Sequence, residues 1–126
     1  MKTIDESTFE SLLELDRDTG GELVFEMIDA YRSDHPNYLK TLKSRIDDQD
    51  AAGVVFQAHA MKSTFANFGA LKLAELFRAI ELAAKVPDWA TIQSSLDQAL
   101  KNIIDFENDL SEVEHRAKAT AARKSS

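Results

Sequence analysis

Apolar side chains recur every three or four residues along most of the chain, the spacing of amphipathic α-helices. The clearest series contains Trp89, Ile92, Leu96, Ala99, Ile103, Phe106, Leu110 and Val113. An earlier series contains Leu23, Met27, Ile28, Tyr31, Tyr38, Leu42 and Ile46. Pro36 interrupts the earlier series. Because proline lacks a backbone donor and disfavours a helical residue before it, we expect a kink or a local break at His35.

Polar residues indicate where the first two helices begin. Ser7 and Glu10 fit a capping box and predict a short first helix from about residue 7, ahead of Phe9. The segment Thr19-Gly20-Gly21-Glu22 interrupts the helical pattern and offers a second capping box. We therefore expect the second helix to begin close to Glu22.

The remaining boundaries follow from acidic residues, glycine and proline. The acidic segment 47–50 ends the second helix and caps a third, which is expected over about residues 51–68 with Gly69 as its C-terminal cap. The fourth helix is predicted over about residues 70–85. Pro87 and Asp88 then begin the fifth and longest.

Four amphipathic helices with short connections predict an all-α fold. We expect an antiparallel up-down-up-down four-helix bundle with a short additional N-terminal helix. Residues 1–115 are expected to form this bundle. Residues 116–126 end in small polar side chains and are expected to form a frayed or disordered tail.

Composition narrows the classes of function. The 126 residues fit one domain, and the net charge of -7 opposes nucleic acid as the main partner. No cysteine is available for a disulfide or a thiolate metal site. No apolar run reaches the roughly 18 residues of a membrane span, and the N-terminus lacks a signal-peptide apolar region. We expect a cytoplasmic monomer.

The stretch AHAMKSTFANFGA, residues 58–70, places a histidine within the predicted third helix. The apolar stripe of this helix contains Val54, Ala58, Met61, Phe65 and Phe68. With residues at about 100° intervals, the centre of this stripe lies roughly 140° from His59. His59 is therefore expected to face solvent.

The residues predicted around His59 combine small, apolar and cationic side chains. They are Ala52, Val55, Phe56, Lys62, Ser63 and Ala66. Exposed apolar residues beside an exposed histidine are typical of a docking surface, although a surface histidine without a role is the simpler alternative. On the fourth helix, Arg78 and Lys85 lie one turn on either side of Glu81. Together with Lys62 they are expected to form a positive rim around the apolar centre.

Other kinds of site find little support in this sequence. The helical neighbours of His59 do not include a set of metal ligands, and a triad using Ser63 lacks a strained elbow. No glycine-rich phosphate loop is available for ATP. His35 and His115 lie in charged or proline-containing surroundings and are expected to be solvated.

The joined pattern from residue 58 to residue 81 resembles that of histidine-containing phosphotransfer domains. The family signature reads approximately A-H-x-L-K-G-S-S-A-N-x-G-A. It is matched directly by Ala58, His59, Lys62, Ala66, Asn67, Gly69 and Ala70. Met61 replaces the leucine and Thr64 one serine, and the segment LAELFRAIE, Leu73 to Glu81, is similar to the pattern of the next helix.

This resemblance implies a phosphorelay. His59 would accept a phosphoryl group from an aspartyl phosphate on one response-regulator receiver domain and pass it to an aspartate on another. An exposed imidazole is largely neutral at cytoplasmic pH and has a free lone pair, which we assign to Nε2. Lys62 would balance the phosphoryl charge as a mobile cation. The implied partners are receivers and a hybrid sensor histidine kinase, with Mg²⁺ supplied by the receiver and no cofactor on this chain.

Two of the departures from the family pattern bear directly on the chemistry of the site. Ser63 replaces a glycine, and its hydroxyl is expected to bond a phosphoryl oxygen. Glu81 occupies a position where some members have a glutamine that bonds the imidazole. A carboxylate there would accept a hydrogen bond from Nδ1–H and leave Nε2 free, unless Glu81 is an ordinary surface residue.

Three functions remain to be compared. The first is a stand-alone phosphorelay carrier, which is not a kinase because it has no ATP site. The second is a helical adaptor that binds receiver or kinase domains without relaying phosphate. The third, an enzyme with a metal in the bundle core, is opposed by the apolar inward stripes. The presence of both His59 and Lys62 favours the carrier.

Overall fold

A computed structural model describes residues 1–16 and 22–125. Within these residues it contains five α-helices and no strand, which confirms the all-α prediction. They are α1 Glu6–Leu15, α2 Glu22–Asp47, α3 Ala51–Asn67, α4 Leu71–Lys85 and α5 Trp89–Ser125. Because α2 packs on α3, α3 on α4, α4 on α5 and α5 on α2, the four longer helices close a ring. Their up-down-up-down order stays a prediction.

In α3 and α5 the core forms where the periodicity places it, whereas Leu23 and Tyr38 of the α2 series are exposed. In α3 the predicted stripe is buried at all five positions, and in α5 every predicted core position except the half-buried Trp89 is buried. Phe65 lies at the centre, with ring centroids 5.3 Å from Phe77 and 5.1 Å from Phe106. Each such side chain contributes roughly 1.5–3 kcal/mol through removal of apolar surface from water. This packing fixes which face of α3 is left outside.

The predicted capping box of α1 is wrong. The helix begins at Glu6, and the Asp5 carboxylate accepts a hydrogen bond from the backbone N–H of Thr8 at 3.0 Å and from its hydroxyl at 2.9 Å. Ser7 therefore lies inside the first turn instead of capping it. An aspartate is as good a cap as a serine, so the residue type alone did not decide between them.

The capping box proposed at Thr19 falls largely outside the described residues. The described helix α2 begins at Glu22, as expected. Its first amides are satisfied by Asp16, whose carboxylate accepts hydrogen bonds from the backbone N–H of Leu23 at 2.9 Å and of Val24 at 3.0 Å. An acidic residue near the N-terminus of a helix also interacts favourably with its dipole.

The structure contradicts the expected local break at Pro36 and the expected solvation of His35, whereas the alternative of a kink stays a prediction. Helix α2 continues through Pro36 without a break. His35, expected to be solvated, is only 8% exposed. Its ring stacks on Tyr31 at a centroid distance of 4.7 Å and meets the edge of Phe65 at 5.9 Å. His35 follows Tyr31 by four residues on an unbroken helix, so it belongs to the same buried face.

This buried histidine predicts a loss of stability in mild acid. Burial lowers the pKa of His35 to about 4, and its Nε2 has no hydrogen-bond partner among the described residues. In the unfolded chain a histidine has a pKa of about 6.5. As the pH falls through 6.5 towards 4, the unfolded state therefore binds a proton that the native state does not. The free energy of unfolding should fall by about 2–3 kcal/mol between pH 7 and pH 4.5.

Urea unfolding at several pH values measures this effect, with His35→Leu as the matched variant. Other titrating groups are shared by both proteins, so the difference between their pH profiles isolates residue 35. The variant should lose much less stability across this interval. Parallel profiles would show that His35 is not the group responsible.

The N-terminal segment ties the end of α3 to α5. Buried Asp109 accepts hydrogen bonds from the backbone N–H of Lys2, Thr3 and Ile4 at 3.2, 2.7 and 3.3 Å, and from the Thr3 hydroxyl at 2.6 Å. The Asp5 amide then donates to the Gly69 carbonyl at 2.8 Å. These bonds hold the C-terminal end of the helix that carries His59.

Gly69 ends α3 in a conformation that favours glycine. Its φ is +76°, and a Cβ built on it would lie 2.7 Å from the Thr8 Cβ. A side chain would therefore be strained in its backbone and would also collide with α1. The glycine lies just past the helix end, as the sequence predicted.

Helix α5 continues beyond the expected end of the bundle. Residue 115 was predicted as its limit, yet α5 extends to Ser125. Arg116 Nη1 lies 3.0 Å from a Glu6 carboxylate oxygen, and Ala117 is fully buried. Arg116 and Ala117, at the expected start of the frayed tail, therefore make packing contacts. Fraying of the residues after them stays a prediction.

Candidate functional site around His59

His59 lies on the outer face of α3. Its side chain is 60% exposed, whereas the apolar stripe on the opposite side of the same helix is buried. The orientation derived from helical periodicity is therefore the one observed. An imidazole in this position is accessible to a second protein.

A carboxylate from α4 joins His59 and Lys62. Glu81 Oε1 lies 2.8 Å from His59 Nδ1, and Glu81 Oε2 lies 2.9 Å from Lys62 Nζ. The Glu81 side chain is only 10% exposed, so it lies beneath the two α3 side chains and not at the surface. Packing of α4 on α3 brings these three residues together.

The charge on Glu81 determines which nitrogen of the neutral imidazole carries the proton. Burial raises the pKa of Glu81, but hydrogen bonds from Lys62 and His59 outweigh it and lower the pKa below its ordinary value. The carboxylate is therefore ionised at neutral pH and acts only as an acceptor. Since Glu81 needs a donor, we assign the proton of the neutral ring to Nδ1. The lone pair of the ring is then on Nε2.

Lys62 is not the mobile cation that the sequence predicted. Its ammonium is bound to Glu81, and its side chain is only 26% exposed. An ammonium has three hydrogens, so one bond to Glu81 leaves donors for a second acceptor. The position of the charge near His59 is consequently fixed before any partner arrives.

Ser63 uses its hydroxyl within the helix. The Ser63 Oγ donates to the His59 backbone carbonyl at 3.2 Å, a common bond for a serine within a helix. The expected bond to a phosphoryl oxygen would require this hydroxyl to turn outward. The small exposed side chains of Ser63 and Ala66 leave the approach to the imidazole open.

The apolar part of the predicted docking face is present on α3. Phe56 is 70% exposed, Ala52 is also exposed and Val55 is half-buried. A cation that sequence analysis missed lies beside it: the Arg45 guanidinium is 5.9 Å from the centre of the Phe56 ring. Because only a short turn separates α2 from α3, the proximity of these two helix ends was a signal that could have identified Arg45.

The three cations of the predicted positive rim differ in their ion pairs and exposure. Lys62 is bound to Glu81, and Arg78 pairs with Glu75 at 3.6 Å instead of turning towards Glu81. Lys85 is exposed in the last turn of α4. Two of these three cations are thus partly neutralised by α4 carboxylates, and Arg45 adds positive charge on the α2 side.

The described residues do not form the metal site or the serine triad considered as alternatives. They contain no group of three His, Asp or Glu side chains placed to bind a metal ion. Ser63 is hydrogen-bonded to the backbone and not to the His59 ring. None of the described helices has the length and apolar character needed to cross a bilayer. His115 is exposed, as expected.

Comparison with protein families supports the interpretation of this site. The family model described as Hpt domain matches residues 26–116, which include α3, α4 and all three residues of the site. The chain belongs to the Hpt domain family. Hpt domains perform histidine phosphotransfer in two-component systems, and they interact with receiver domains and histidine kinases in phosphorelays. Comparison of this Hpt protein with curated proteins and with solved structures gives no significant match.

Proposed function

We propose that this Hpt protein is a stand-alone phosphorelay carrier. His59 accepts a phosphoryl group from the aspartyl phosphate of one receiver domain and transfers it to an aspartate of another. The observation that carries this proposal is the exposed imidazole whose Nδ1 is bound to a buried carboxylate, which leaves the Nε2 lone pair facing outward. This arrangement provides a neutral nitrogen nucleophile without any movement of the helices.

Each residue of the site has one task in the transfer. Nε2 attacks the phosphorus atom, and the receiver aspartate leaves as a carboxylate. Glu81 holds the ring through Nδ1 so that Nε2 points at the partner. Lys62, already held beside the ring, donates a hydrogen bond to a phosphoryl oxygen and stabilises its charge in the transition state.

The remaining catalytic groups come from the partner. Phosphoryl transfer requires charge stabilisation on the oxygens of the transferred group, for which Mg²⁺ is the usual ion. We assign this Mg²⁺ to the receiver and no cofactor to this chain. The proposal also includes a cytoplasmic location, a monomeric state and a hybrid sensor kinase as the upstream donor.

Receivers dock on the α3 face around His59. Phe56 and Val55 supply apolar surface, while Ala52, Ser63 and Ala66 permit close approach to the ring. Arg45 beside Phe56, Lys85 at the end of α4 and Arg78, whose charge is shared with Glu75, supply the positive charge that counters the net charge of -7 when an acidic receiver site approaches.

The alternative function is an adaptor that binds receiver or kinase domains but relays no phosphate. A two-receiver experiment separates the two. The protein is incubated with a phosphorylated receiver, and a second receiver is added afterwards. A carrier becomes labelled and then labels the second receiver, whereas an adaptor forms a complex while the label remains on the first.

Truncation of the exposed aromatic side chain should weaken docking. Phe56→Ala is expected to raise the Kd for a receiver about 5- to 30-fold, which corresponds to about 1–2 kcal/mol for a moderate interface anchor. Titration of the receiver with each variant measures this change. Ile104→Ala is the control, since Ile104 is also exposed, at 65%, but lies on α5. Equal affinities for both variants would show that receivers do not dock on the α3 face.

A further inference from the structure

We propose that the cleft between α2 and α3 at His35 is a binding site for a small uncharged aromatic compound that carries a hydroxyl group. The cleft has a volume of about 210 Å³ and is lined by both helices. The buried part of its α3 wall consists of Met61, Phe65 and Phe68, which belong to the core stripe and not to the face of His59. The proposed site is therefore separate from the relay site and does not depend on the carrier function.

Aromatic rings and thioethers form the walls of this cleft. Tyr31 and His35 are stacked with a centroid distance of 4.7 Å, and the Phe65 ring lies edge to face with them at 6.0 and 5.9 Å. Aromatic rings pack favourably on one another in such offset and edge-to-face arrangements. Met27 and Met61 add flexible side chains that can adapt to a guest and contact its ring. The walls therefore favour an aromatic guest over an aliphatic one.

The volume of the cleft suits a molecule with one substituted ring. A dry apolar cavity of about 150 Å³ accommodates benzene, so about 210 Å³ leaves room for one or two small groups on the ring. Tyr38, which also lines the cleft, is 40% exposed and marks its opening to solvent. A guest can therefore enter without separation of α2 from α3.

The wall contains a polar atom that no described residue satisfies. His35 is 8% exposed, and its Nε2 is buried without a hydrogen-bond partner among the described residues. The Tyr31 hydroxyl is also buried, but burial and the neighbouring Glu107 carboxylate together raise the pKa of that phenol and keep it protonated. The Thr64 hydroxyl donates to the Ala60 carbonyl at 3.2 Å. His35 Nε2 is thus the atom whose hydrogen bond a guest would complete.

A hydroxyl group is the simplest complement to this atom. Burial lowers the pKa of His35 to about 4, so the ring is neutral at pH 7 and Nε2 donates or accepts according to the tautomer. A hydroxyl serves either tautomer because it both donates and accepts. A buried water usually makes about three hydrogen bonds, whereas the rings packed on His35 are those of Tyr31 and Phe65. A hydroxyl carried by an aromatic ring fits both the polar atom and its apolar surroundings.

The charge at the cleft disfavours anionic aromatic compounds. The Asp34 carboxylate lines the cleft and is exposed. It would repel a carboxylate on the guest, and the net charge of -7 on the chain acts in the same direction. Phenols, which are uncharged at pH 7, are therefore expected to bind, whereas benzoates are not.

The test uses the full chain and three probes of matched shape: 4-methylphenol, toluene and 4-methylbenzoate. Of the three methionines in the chain, Met27 and Met61 line the cleft and Met1 does not. Labelling of the methionine methyl groups with ¹³C therefore places two reporters at the site and one away from it. Titration at pH 7 is followed by NMR, because the ring of a bound guest shifts the signals of nearby methyl groups.

Two variants and a control make the assignment specific. His35→Leu removes the hydrogen-bonding nitrogen, and Ala30→Leu adds bulk to the wall at an exposed position of α2. Ala90→Leu makes the same change at an exposed position of α5, outside the cleft. Because positions 30 and 90 are exposed, both leucine variants should retain the fold.

Binding of 4-methylphenol should shift the Met27 and Met61 signals saturably, with a Kd of about 1 mM or lower, and leave Met1 unchanged. The ratio of the Kd for toluene to that for 4-methylphenol should fall about 3- to 10-fold in His35→Leu, because toluene has no hydrogen bond to lose. Ala30→Leu should weaken binding of 4-methylphenol by about 10-fold or more, whereas Ala90→Leu should bind it as wild type does.

Three results would overturn the proposal. Without saturable shifts at Met27 and Met61, the cleft would be occupied by solvent only. An unchanged Kd ratio in His35→Leu, or wild-type affinity in Ala30→Leu, would place the bound ring elsewhere. Binding of 4-methylbenzoate as tight as that of 4-methylphenol would contradict the recognition of an uncharged hydroxyl.

Discussion

A His59→Gln variant should accept no phosphoryl group from a phosphorylated receiver, while its fold remains intact. The reaction needs a nitrogen lone pair at Nε2, and a glutamine amide nitrogen is not a nucleophile. The fold should survive because the side chain is 60% exposed and lies outside the buried stripe of α3. Label transfer and thermal unfolding measure the two halves of this prediction.

The matched control is His115→Gln, which removes the other exposed histidine. It should accept the phosphoryl group at the wild-type rate. If His59→Gln still became labelled at a comparable rate, another residue would be the acceptor. A variant that lost both the label and its cooperative unfolding would instead assign His59 a structural task that its exposure does not predict.

The second large effect is expected at Lys62. Lys62→Ala should slow phosphoryl transfer by about 10²-fold or more, the usual loss when one preorganised donor to a developing charge is removed. Rapid-quench transfer from a saturating phosphorylated receiver measures the chemical step separately from binding. Lys85→Ala, which removes an exposed α4 lysine, is the control and should leave the transfer rate of the bound complex near wild type.

The structure adds a stability effect to this substitution. Lys62 holds one oxygen of a nearly buried carboxylate, so its removal leaves Glu81 with His59 as its remaining described side-chain partner. Loss of a hydrogen bond to a charged group costs about 1–3 kcal/mol, and a decrease of several degrees in Tm is therefore expected for Lys62→Ala. An unchanged transfer rate together with this lower Tm would make Lys62 a structural residue only.

Periodicity predicted the fold and the direction of His59 because both depend on local geometry. The positions on α3 that face the core are fixed by the helical repeat, and the outward face follows by elimination. The short connections between the helices predicted that the four longer helices would pack together as a bundle. The contact between Glu81 and His59 spans two helices, 22 residues apart in sequence, and only the family resemblance indicated it.

Other features depended on packing that local patterns do not specify. His35 was assigned to solvent because its neighbours are polar, yet the unbroken α2 helix brings it onto Tyr31. The ion pair of Lys62 could not be read from α3 alone, since its partner is on α4. Arg45 approaches Phe56 only because the end of α2 turns back onto the start of α3.

The most direct test of the central claim is to locate the phosphoryl group after transfer from a phosphorylated receiver to the wild-type protein. Peptide mapping under alkaline conditions, which preserve phosphohistidine, identifies the residue, and ³¹P and ¹⁵N NMR identify the ring nitrogen. The account predicts a single phosphoryl group on Nε2 of His59. A group on His35, on His115 or on Nδ1 of His59, or no stable uptake from any active phosphorylated receiver, would contradict it.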